Sequence, residues 1–315
     1  MDAIITRFAH LFFKIYSTAI VRDFVNRGAR RLHRINPLPL NTAQERVVHY
    51  LKQDGIAVTQ IDELFPGKNM LMQLREYTEK RMVSAEAKTA KQFLRQLWDA
   101  VPVFTASDPF MRLATEERVQ GIVNSYLSLY AKLYYFTLNA TVPVNDGSAA
   151  VQSQRWHRDP EDRNMCKIFL YLNDVDETAG PFFYVRGSQW GGRFGHLFPQ
   201  NPPRGSYPPE AEVLRGIPQK EMFMATGKAG TIIFCDTAGI HKGGYATKNM
   251  RLMFTAGYRS PASPWPVRYK LTEDAKKEIS AMRLAEPVRY ALDSRPPALP
   301  FYFLKKIKKN FTDYA

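Results

Sequence analysis

The feature that most constrains the fold is a series of short segments, rich in aromatic and apolar residues, in the second half of the chain. Each segment is bounded by Gly, Pro, Asn or Asp, and together they cover residues 132–139, 167–172, 180–185, 230–234 and 252–258. Segments of this length and composition are typical of β-strands. Because no helical pattern separates them, they predict a β-sandwich or jelly roll.

The first 130 residues show a mostly helical pattern instead. Helical spacing of apolar residues covers residues 4–33, about 42–53, about 68–100 and 110–128, with a short strand at 55–59. Asn41 or Thr42 is the predicted N-cap of the second helix, and Glu45 is placed to complete a capping box with Thr42. One more helix is predicted near 273–285. We therefore expect an α+β protein whose helical N-terminal half packs on a β-core.

The sequence suggests three parts. Residues 1–40 are a basic amphipathic helix and a Pro-rich linker, residues 41–270 are the main domain with its β-core at about 130–260, and residues 271–315 are a C-terminal helix and a Lys-rich tail. Within the main domain, residues 187–216 form a long segment rich in Pro and Gly. Long loops without secondary structure are uncommon in compact domains unless they serve a function. This loop is therefore a candidate lid.

The charge balance favours an anionic partner. With 44 Lys and Arg against 30 Asp and Glu, the formal net charge is +14, which suits a phospholipid surface, a small anionic substrate or nucleic acid. Nucleic acid is the least favoured, because the basic residues are dispersed and no nucleic-acid motif occurs. Apolar runs are too short for a spanning helix, so we do not expect a transmembrane protein.

The first predicted helix has two interpretations. Its apolar stripe could pack on the core of its own domain, or it could bind a membrane surface, with Arg27, Arg30, Arg31 and Arg34 near the lipid headgroups. The aromatic and Lys-rich tail at 301–309 has similar chemistry, although a solvated terminus would look the same. The predicted location is cytoplasmic, and peripheral at a membrane surface if the helix binds lipid.

Two cysteines, Cys166 and Cys235, are too few for a disulfide framework or a four-cysteine zinc site. A reducing compartment is therefore expected. We interpret both as small buried hydrophobic residues, while a single buried bridge remains an alternative.

The strongest functional signal is a set of candidate metal ligands in the β-half. His157 and Asp159 lie two residues apart, so on an extended strand both side chains point to the same face. His241 follows a later strand segment, and two imidazoles with one carboxylate form the facial triad of non-haem Fe(II) oxygenases. Arg251 begins the next strand segment, where its guanidinium could hold the distal carboxylate of 2-oxoglutarate. The plain alternatives are a strand histidine, a turn aspartate before Pro160 and a structural ion-pair arginine.

Taken in order, these segments resemble the phytanoyl-CoA dioxygenase family of Fe(II)- and 2-oxoglutarate-dependent oxygenases. The residues that carry the resemblance are Trp156–Asp162, Lys167–Val175, Gly180–Ser188, Gly230 with Thr231, His241 and Arg251. The resemblance covers about residues 130–260, and Asp54 with Gly55 is similar to the start of the family's domain. It implies a double-stranded β-helix, a cupin-like jelly roll.

The same resemblance implies roles for six residues. His157, Asp159 and His241 would bind iron, Arg251 would bind 2-oxoglutarate, and Thr231 and Asn139 are weaker candidates for contacts to 2-oxoglutarate. The cofactors would be Fe(II), 2-oxoglutarate as co-substrate and O2. Thr231 could equally be an ordinary strand residue and Asn139 a residue of a strand-end turn.

The implied activity is hydroxylation of an unactivated C–H bond, with release of succinate and CO2. Halogenating relatives replace the iron-binding carboxylate by a small residue, and Asp159 is retained here. The substrate would be an anionic or lipid-like small molecule that the sequence does not identify, and His196 with Arg193 and Arg204 could contact it or be merely solvated. The alternative function is a non-catalytic jelly-roll protein that binds an anionic ligand or a membrane surface.

Overall fold

The computed structural model describes residues 11–84, 88–91, 93–144 and 151–293. The helices, after a helical segment at 11–16, are α1 (Ala19–Ile35), α2 (Thr42–Asp54), α3 (Ile61–Leu64), α4 (Met70–Ser84), α5 (Pro109–Thr115), α6 (Glu117–Leu127), α7 (Glu210–Gly216), α8 (Glu273–Ala281) and α9 (Glu286–Leu292). The strands are β1 (Ile56–Gln60), β2 (Lys88–Lys91), β3 (Leu94–Gln96), β4 (Val103–Phe104), β5 (Lys132–Thr141), β6 (Met165–Tyr171), β7 (Phe182–Val185), β8 (Met222–Ala225), β9 (Thr231–Cys235), β10 (His241–Gly243), β11 (Arg251–Arg259) and β12 (Lys270–Leu271). The first residues of the predicted N-terminal helix and the Lys-rich tail lie outside the described residues.

Two antiparallel sheets form the β-core. The major sheet has seven strands in the order β1-β9-β6-β11-β5-β3-β2, and the minor sheet has three in the order β10-β7-β8. Strands β4 and β12 form a separate parallel pair. Sequential strands such as β5 and β6 are separated in the major sheet by β11, which is the crossover pattern of a jelly roll rather than of a simple meander.

The two faces of the major sheet have different neighbours. On β6, Phe169 and Tyr171 point to the minor sheet and pack there with Phe182 of β7. The alternating residues Ile168 and Leu170 belong to a larger cluster with the helices. Because successive side chains of a strand point to opposite faces, one set lies between the sheets and the other lies under the helices. The fold is the predicted α+β architecture, a double-stranded β-helix with helices on the outer face of its major sheet.

Sequence periodicity was wrong for part of the N-terminal half. Of residues 68–100, only Met70–Ser84 are described as helix, and β2 and β3 follow, because residues 94–96 pair with β5. Residues 110–128 form two helices, since Asp108 caps α5 and the chain turns again at Glu116. The first predicted helix is interrupted at residues 17–18.

The capping prediction for α2 was correct in position and wrong in partner. The Asn41 side chain accepts a hydrogen bond from the backbone N–H of Gln44, and the Gln44 side chain accepts one from the backbone N–H of Asn41. The box therefore joins Asn41 and Gln44 rather than Thr42 and Glu45.

The last helix, α9, packs on the β-core. Lys132 of β5 donates from Nζ to the carbonyl oxygens of Tyr290 and Asp293, at 2.9 and 3.0 Å. The division into three parts stays a prediction.

No helix in the described part of the chain is both long and apolar enough to cross a membrane. Cys166 and Cys235 are both buried and free.

The candidate lid is attached to the core in this structure. The guanidinium of Arg158 donates to the carbonyl oxygens of Ser188, Phe194 and Leu197. Phe194 and Leu197 also pack against the cluster around Trp156. Trp156 is thus a core residue, and the role of residues 187–216 as a lid stays a prediction.

Candidate metal centre

Backbone pairing places the two candidate histidines side by side. His157 and His241 face each other as an antiparallel pair, and each backbone N–H donates to the other's carbonyl oxygen at 2.9 Å. The backbone N–H of Asp159 donates to Thr237 O at 2.9 Å, which continues the alignment. The imidazole centroids are 4.1 Å apart. Two distant parts of the sequence therefore meet because they extend one ladder.

Both imidazoles are held in the same way. The Nδ1 atom of His157 is 2.8 Å from Arg155 O, and Nδ1 of His241 is 3.0 Å from Gly239 O. A carbonyl oxygen only accepts hydrogen bonds, so each Nδ1 carries the hydrogen. In the neutral ring this leaves the lone pair on Nε2. Backbone acceptors of this kind commonly orient metal-binding histidines.

Asp159 completes the group. Its Oδ1 lies 3.6 Å from Nε2 of His157, and its Oδ2 lies 3.6 Å from Nε2 of His241. One ligand atom from each residue lies within 4.8 Å of the other two. The ligands are well shielded, with side-chain exposures of 7%, 13% and 6% for His157, Asp159 and His241. Two nitrogens and one carboxylate on one side of an ion suit iron and leave positions open for other ligands.

Burial keeps His241 ready to bind a metal. Its pKa falls to about 3, because burial and then the neighbouring His157 disfavour the protonated ring, and the charge of Asp159 only partly offsets them. At neutral pH the imidazole is therefore uncharged, as a metal ligand must be.

A buried cation, Lys167 of β6, accompanies the candidate ligands. Its Nζ is 2.6 Å from Asp159 Oδ2 and 3.8 Å from Glu161 Oε1. Burial alone would raise the pKa of Asp159, but the charges of Lys167, His241 and His157 outweigh it and hold that pKa well below its usual range. Burial raises the pKa of Glu161, and Lys167 opposes this. The carboxylate that would bind metal is thus kept ionised and oriented before any metal arrives.

Arg251 lies where a second anion could be bound. It is 5% exposed at the start of β11, and its guanidinium donates to Gly180 O and, at 3.2 Å, to the Thr141 hydroxyl. Its buried Nε has no hydrogen-bond partner among the described residues. No carboxylate pairs with Arg251 in the part of the chain that the structure describes, so no described residue balances its charge. A Cβ atom placed on Gly243, two residues after His241 on β10, would lie 3.9 Å from its Nη2.

The two weaker candidates occupy different places. In the antiparallel pair of β5 and β11, Asn139 lies opposite Met253 and Thr141 lies opposite Arg251. The buried Oδ1 of Asn139 has no hydrogen-bond partner among the described residues. Thr231 begins β9, two strands from β11, and its hydroxyl already donates to Lys228 O and accepts from Gln60. Asn139 thus lies near Arg251, whereas Thr231 does not contact Arg251. A role for either residue in binding 2-oxoglutarate stays a prediction.

Aromatic rings and arginines surround the candidate ligands. The ring of Tyr207 stacks on His157 with centroids 5.4 Å apart, and Arg155 lies 5.8 Å from the Tyr207 ring. Lys167 and Arg268 both lie 5.2 Å from the ring of Tyr135. Among the described residues, Arg155 and Arg268 form no salt bridge with a carboxylate.

The sequence motifs assigned no functional role to these neighbours. Lys167 left a usable signal, since it is a charge inside an otherwise apolar strand. Tyr207 left none, because it reaches His157 from the long loop.

The loop residues that were predicted as substrate contacts behave differently. Arg193 pairs with Glu221, with Nη2 and Oε2 2.8 Å apart, and His196 is exposed.

The profile of the phytanoyl-CoA dioxygenase (PhyH) family matches residues 51–253. The sequence matched none of the curated proteins with which it was compared.

Solved structures share the fold at low sequence identity. The epimerase SnoN, in complex with Fe3+, alpha ketoglutarate and nogalamycin RO, is 17% identical with a TM-score of 0.55, covering 82% of this chain and 96% of SnoN. EctD from S. alaskensis with bound Fe is 17% identical with a TM-score of 0.51, covering 77% and 85%. The carbocyclase SnoK is 13% identical with a TM-score of 0.50, covering 83% and 97%.

Proposed function

The chain belongs to the phytanoyl-CoA dioxygenase family, whose chemistry uses iron, 2-oxoglutarate and dioxygen, and from that membership we propose that it hydroxylates an unactivated C–H bond of an anionic small molecule. Succinate and CO2 would be the co-products. The observation that carries the proposal is the shielded group of His157, Asp159 and His241, in which one ligand atom from each residue lies within 4.8 Å of the other two.

The proposal assigns the iron to these three side chains. Their donor set fits the ion, because neutral imidazoles and an ionised carboxylate are prepared by the backbone carbonyls and by Lys167. When bound, iron together with 2-oxoglutarate and dioxygen supplies an oxidant that can attack an unactivated C–H bond. The protein's own contribution is to fix the ligands and to shield that position from bulk water.

Arg251 would hold the distal carboxylate of 2-oxoglutarate. Its unbalanced charge and unpartnered Nε fit an anion, and Thr141 and Gly180 fix its guanidinium in place. His241 and Gly243 lie at the two ends of β10, about 7 Å apart at the usual rise of a strand. That spacing suits a short diacid that reaches from the metal to the arginine.

An anionic substrate is supported by the rings and cations around the ligands. Tyr207 and Tyr135 offer faces beside His157 and Lys167, and Arg155 and Arg268 lie against those same rings. A planar guanidinium binds carboxylate or phosphate through paired hydrogen bonds. Retention of Asp159 supports hydroxylation over halogenation.

The test of the cofactor assignment is anaerobic addition of Fe(II) and 2-oxoglutarate to the purified chain. We expect the charge-transfer absorption of an iron-bound 2-oxoacid, its loss in His241→Ala, and a much higher 2-oxoglutarate requirement in Arg251→Met. His196→Ala is the matched control, since this exposed histidine lies outside the group and should leave the band unchanged. A folded protein that gives no band would instead support the non-catalytic alternative.

Hydroxylation needs a separate test, because the structural relatives include an epimerase and a carbocyclase. Once a substrate that stimulates succinate formation is found, the reaction is run under 18O2. One labelled oxygen in the product is expected. An unlabelled, isomerised or cyclised product would keep the cofactor assignment and overturn the hydroxylase assignment.

A further inference from the structure

Helix α1 exposes large apolar side chains. Ile20, Phe24 and Ile35 are 83%, 77% and 67% exposed. At 100° per residue these three positions fall within about 60° of one another on the helix surface. They form one stripe, which we call the outer stripe of α1. In the separate helical segment before α1, Leu11 and Ile15 are also exposed, at 53% and 51%.

The inner face of α1 is attached to the β-core partly by polar groups. Arg22 is 6% exposed and forms a buried ion pair with Asp162, and the Asn26 side chain accepts a hydrogen bond from Ala262 N at 3.0 Å. Ala29 is the third buried residue of the helix. An ordinary surface helix buries its apolar stripe and exposes its polar one. In α1 polar side chains anchor the buried face. Of its four bulkiest apolar residues, Leu32 packs against the core, and Ile20, Phe24 and Ile35 point outward.

The outer stripe is accompanied by unpaired positive charge. Arg27, Arg31 and Arg34 are exposed, and within the described residues none of them forms a salt bridge or a side-chain hydrogen bond. Arg31 projects between the positions of Ile20 and Phe24, and Arg27 and Arg34 project on one side of the stripe. Arg30, the fourth arginine near this end of α1, is paired instead, with its Nη2 2.8 Å from Asp23 Oδ1.

We propose that the outer stripe of α1 docks in the plane of a bilayer that contains anionic lipids. The apolar side chains would enter the interface while the three arginines meet lipid phosphates and carboxylates, as in membrane-surface helices. Charge complementarity favours this occupant, since arginine lies within and beside the stripe and the whole chain carries a net charge of +14. The proposal does not depend on the enzymatic function.

The test is co-sedimentation of the full chain with phosphatidylcholine vesicles with and without phosphatidylserine. We expect binding only to the anionic vesicles, and weaker binding at high salt because surface charges are screened. Ile20→Gln with Phe24→Gln should abolish most of this binding. The matched controls are Val83→Gln on α4 and Leu214→Gln on α7, at exposed apolar positions (91% and 56%) far along the chain from α1.

A second set of variants leaves the apolar residues intact. Arg27→Gln, Arg31→Gln and Arg34→Gln should each weaken binding about fivefold, the effect of one cation near an anionic surface. Circular dichroism and light scattering on each variant report folding and oligomeric state. Equal binding by wild type and the Ile20/Phe24 variant would overturn the proposal. Failure of the wild type to bind anionic vesicles would also overturn the proposal. This includes the outcome in which the outer stripe forms a dimer instead.

Discussion

Lys167 is a single residue on which the candidate metal centre depends, since it lies between the buried carboxylates of Asp159 and Glu161. Lys167→Met would remove the cation that pairs with both carboxylates in the metal-free protein. Removing one partner of a buried ion pair costs about 3–5 kcal/mol, and we expect the free energy of unfolding in EDTA to fall by that order. Urea denaturation measures the change.

Two further variants separate charge from packing at this position. Lys167→Arg keeps the cation and should lose less stability. Adding Asp159→Asn to Lys167→Met should recover part of the loss, because the two side chains interact directly. If Lys167→Met were as stable as wild type in EDTA, Lys167 would not be compensating the carboxylates.

Asp236 gives the protein a predictable pH dependence. Tyr126 donates to its Oδ2 at 2.6 Å and Ala238 N donates to its Oδ1 at 2.9 Å, yet burial raises its pKa from 3.8 to about 7. Between these values the folded state keeps a proton that the unfolded chain has lost. The contribution to stability is therefore present at low pH and lost as pH rises through about 7.

The matched variant is Asp236→Asn, which resembles the protonated acid at every pH. Between pH 5 and pH 8 the wild type should lose on the order of 2 kcal/mol relative to this variant. Denaturation at the two pH values measures it, and other titrating groups cancel in the comparison. A stability difference that does not change with pH would show that Asp236 is ionised throughout.

At the scale of secondary-structure elements, the strands of the β-half were predictable and part of the N-terminal half was not. The segments at 132–139, 167–172 and 230–234 match β5, β6 and β9 closely, because each is rich in the aromatic and β-branched residues that favour strands. β3 was predicted as helix, since its pairing with β5 joins residues far apart in sequence. Pattern alone does not contain such a pairing.

The candidate ligands could also be selected from the sequence, because they lie in or beside segments with a clear strand pattern. His157 and Asp159 are close in sequence, and Arg251 begins a strand. The direct pairing of His157 with His241 follows only from the folded ladder. Glu161 and Tyr207 carry no signal of their own, because tertiary packing brings them to the site.

The turn before β7 helps to hold Arg251, the residue proposed to bind 2-oxoglutarate. Gly180 has φ +70° and supplies the carbonyl that accepts from Arg251. A Cβ atom there would lie 2.7 Å from Gly244 O and 2.8 Å from Ala246 N. Gly180→Ala must therefore displace this turn, and we expect weaker binding of 2-oxoglutarate, measured by titration of the anaerobic iron complex.

Gly67→Ala is the matched control for that prediction. Gly67 has φ +74°, and a Cβ atom there meets nothing within 4 Å. Both variants carry the backbone cost of a left-handed alanine, of order 1 kcal/mol, but only Gly180→Ala adds a clash beside Arg251. Equal 2-oxoglutarate affinity in the two variants would contradict the role given to this turn.

At the scale of the whole molecule, the candidate site joins the two sheets. His241 lies on β10 of the minor sheet, whereas Lys167 and Arg251 lie on β6 and β11 of the major sheet, and Asp159 lies in the segment that leads into β6. An ion held by His157, Asp159 and His241 would therefore connect segments that are far apart in the unfolded chain. The unfolded chain offers no such group, so metal binding should stabilise the folded state as a whole.

This coupling gives a prediction that needs no substrate. Free Fe(II) at 100 times its Kd should add about 2.7 kcal/mol to the free energy of unfolding, and raise the Tm by about 5 °C over the protein in EDTA. Anaerobic thermal denaturation measures the shift. His241→Ala and Asp159→Ala should lose most of it, and His196→Ala, which alters an exposed histidine outside the group, should keep it. If His241→Ala kept the full shift, the metal would be bound elsewhere, because a ligand stabilises the fold only through the site that it occupies.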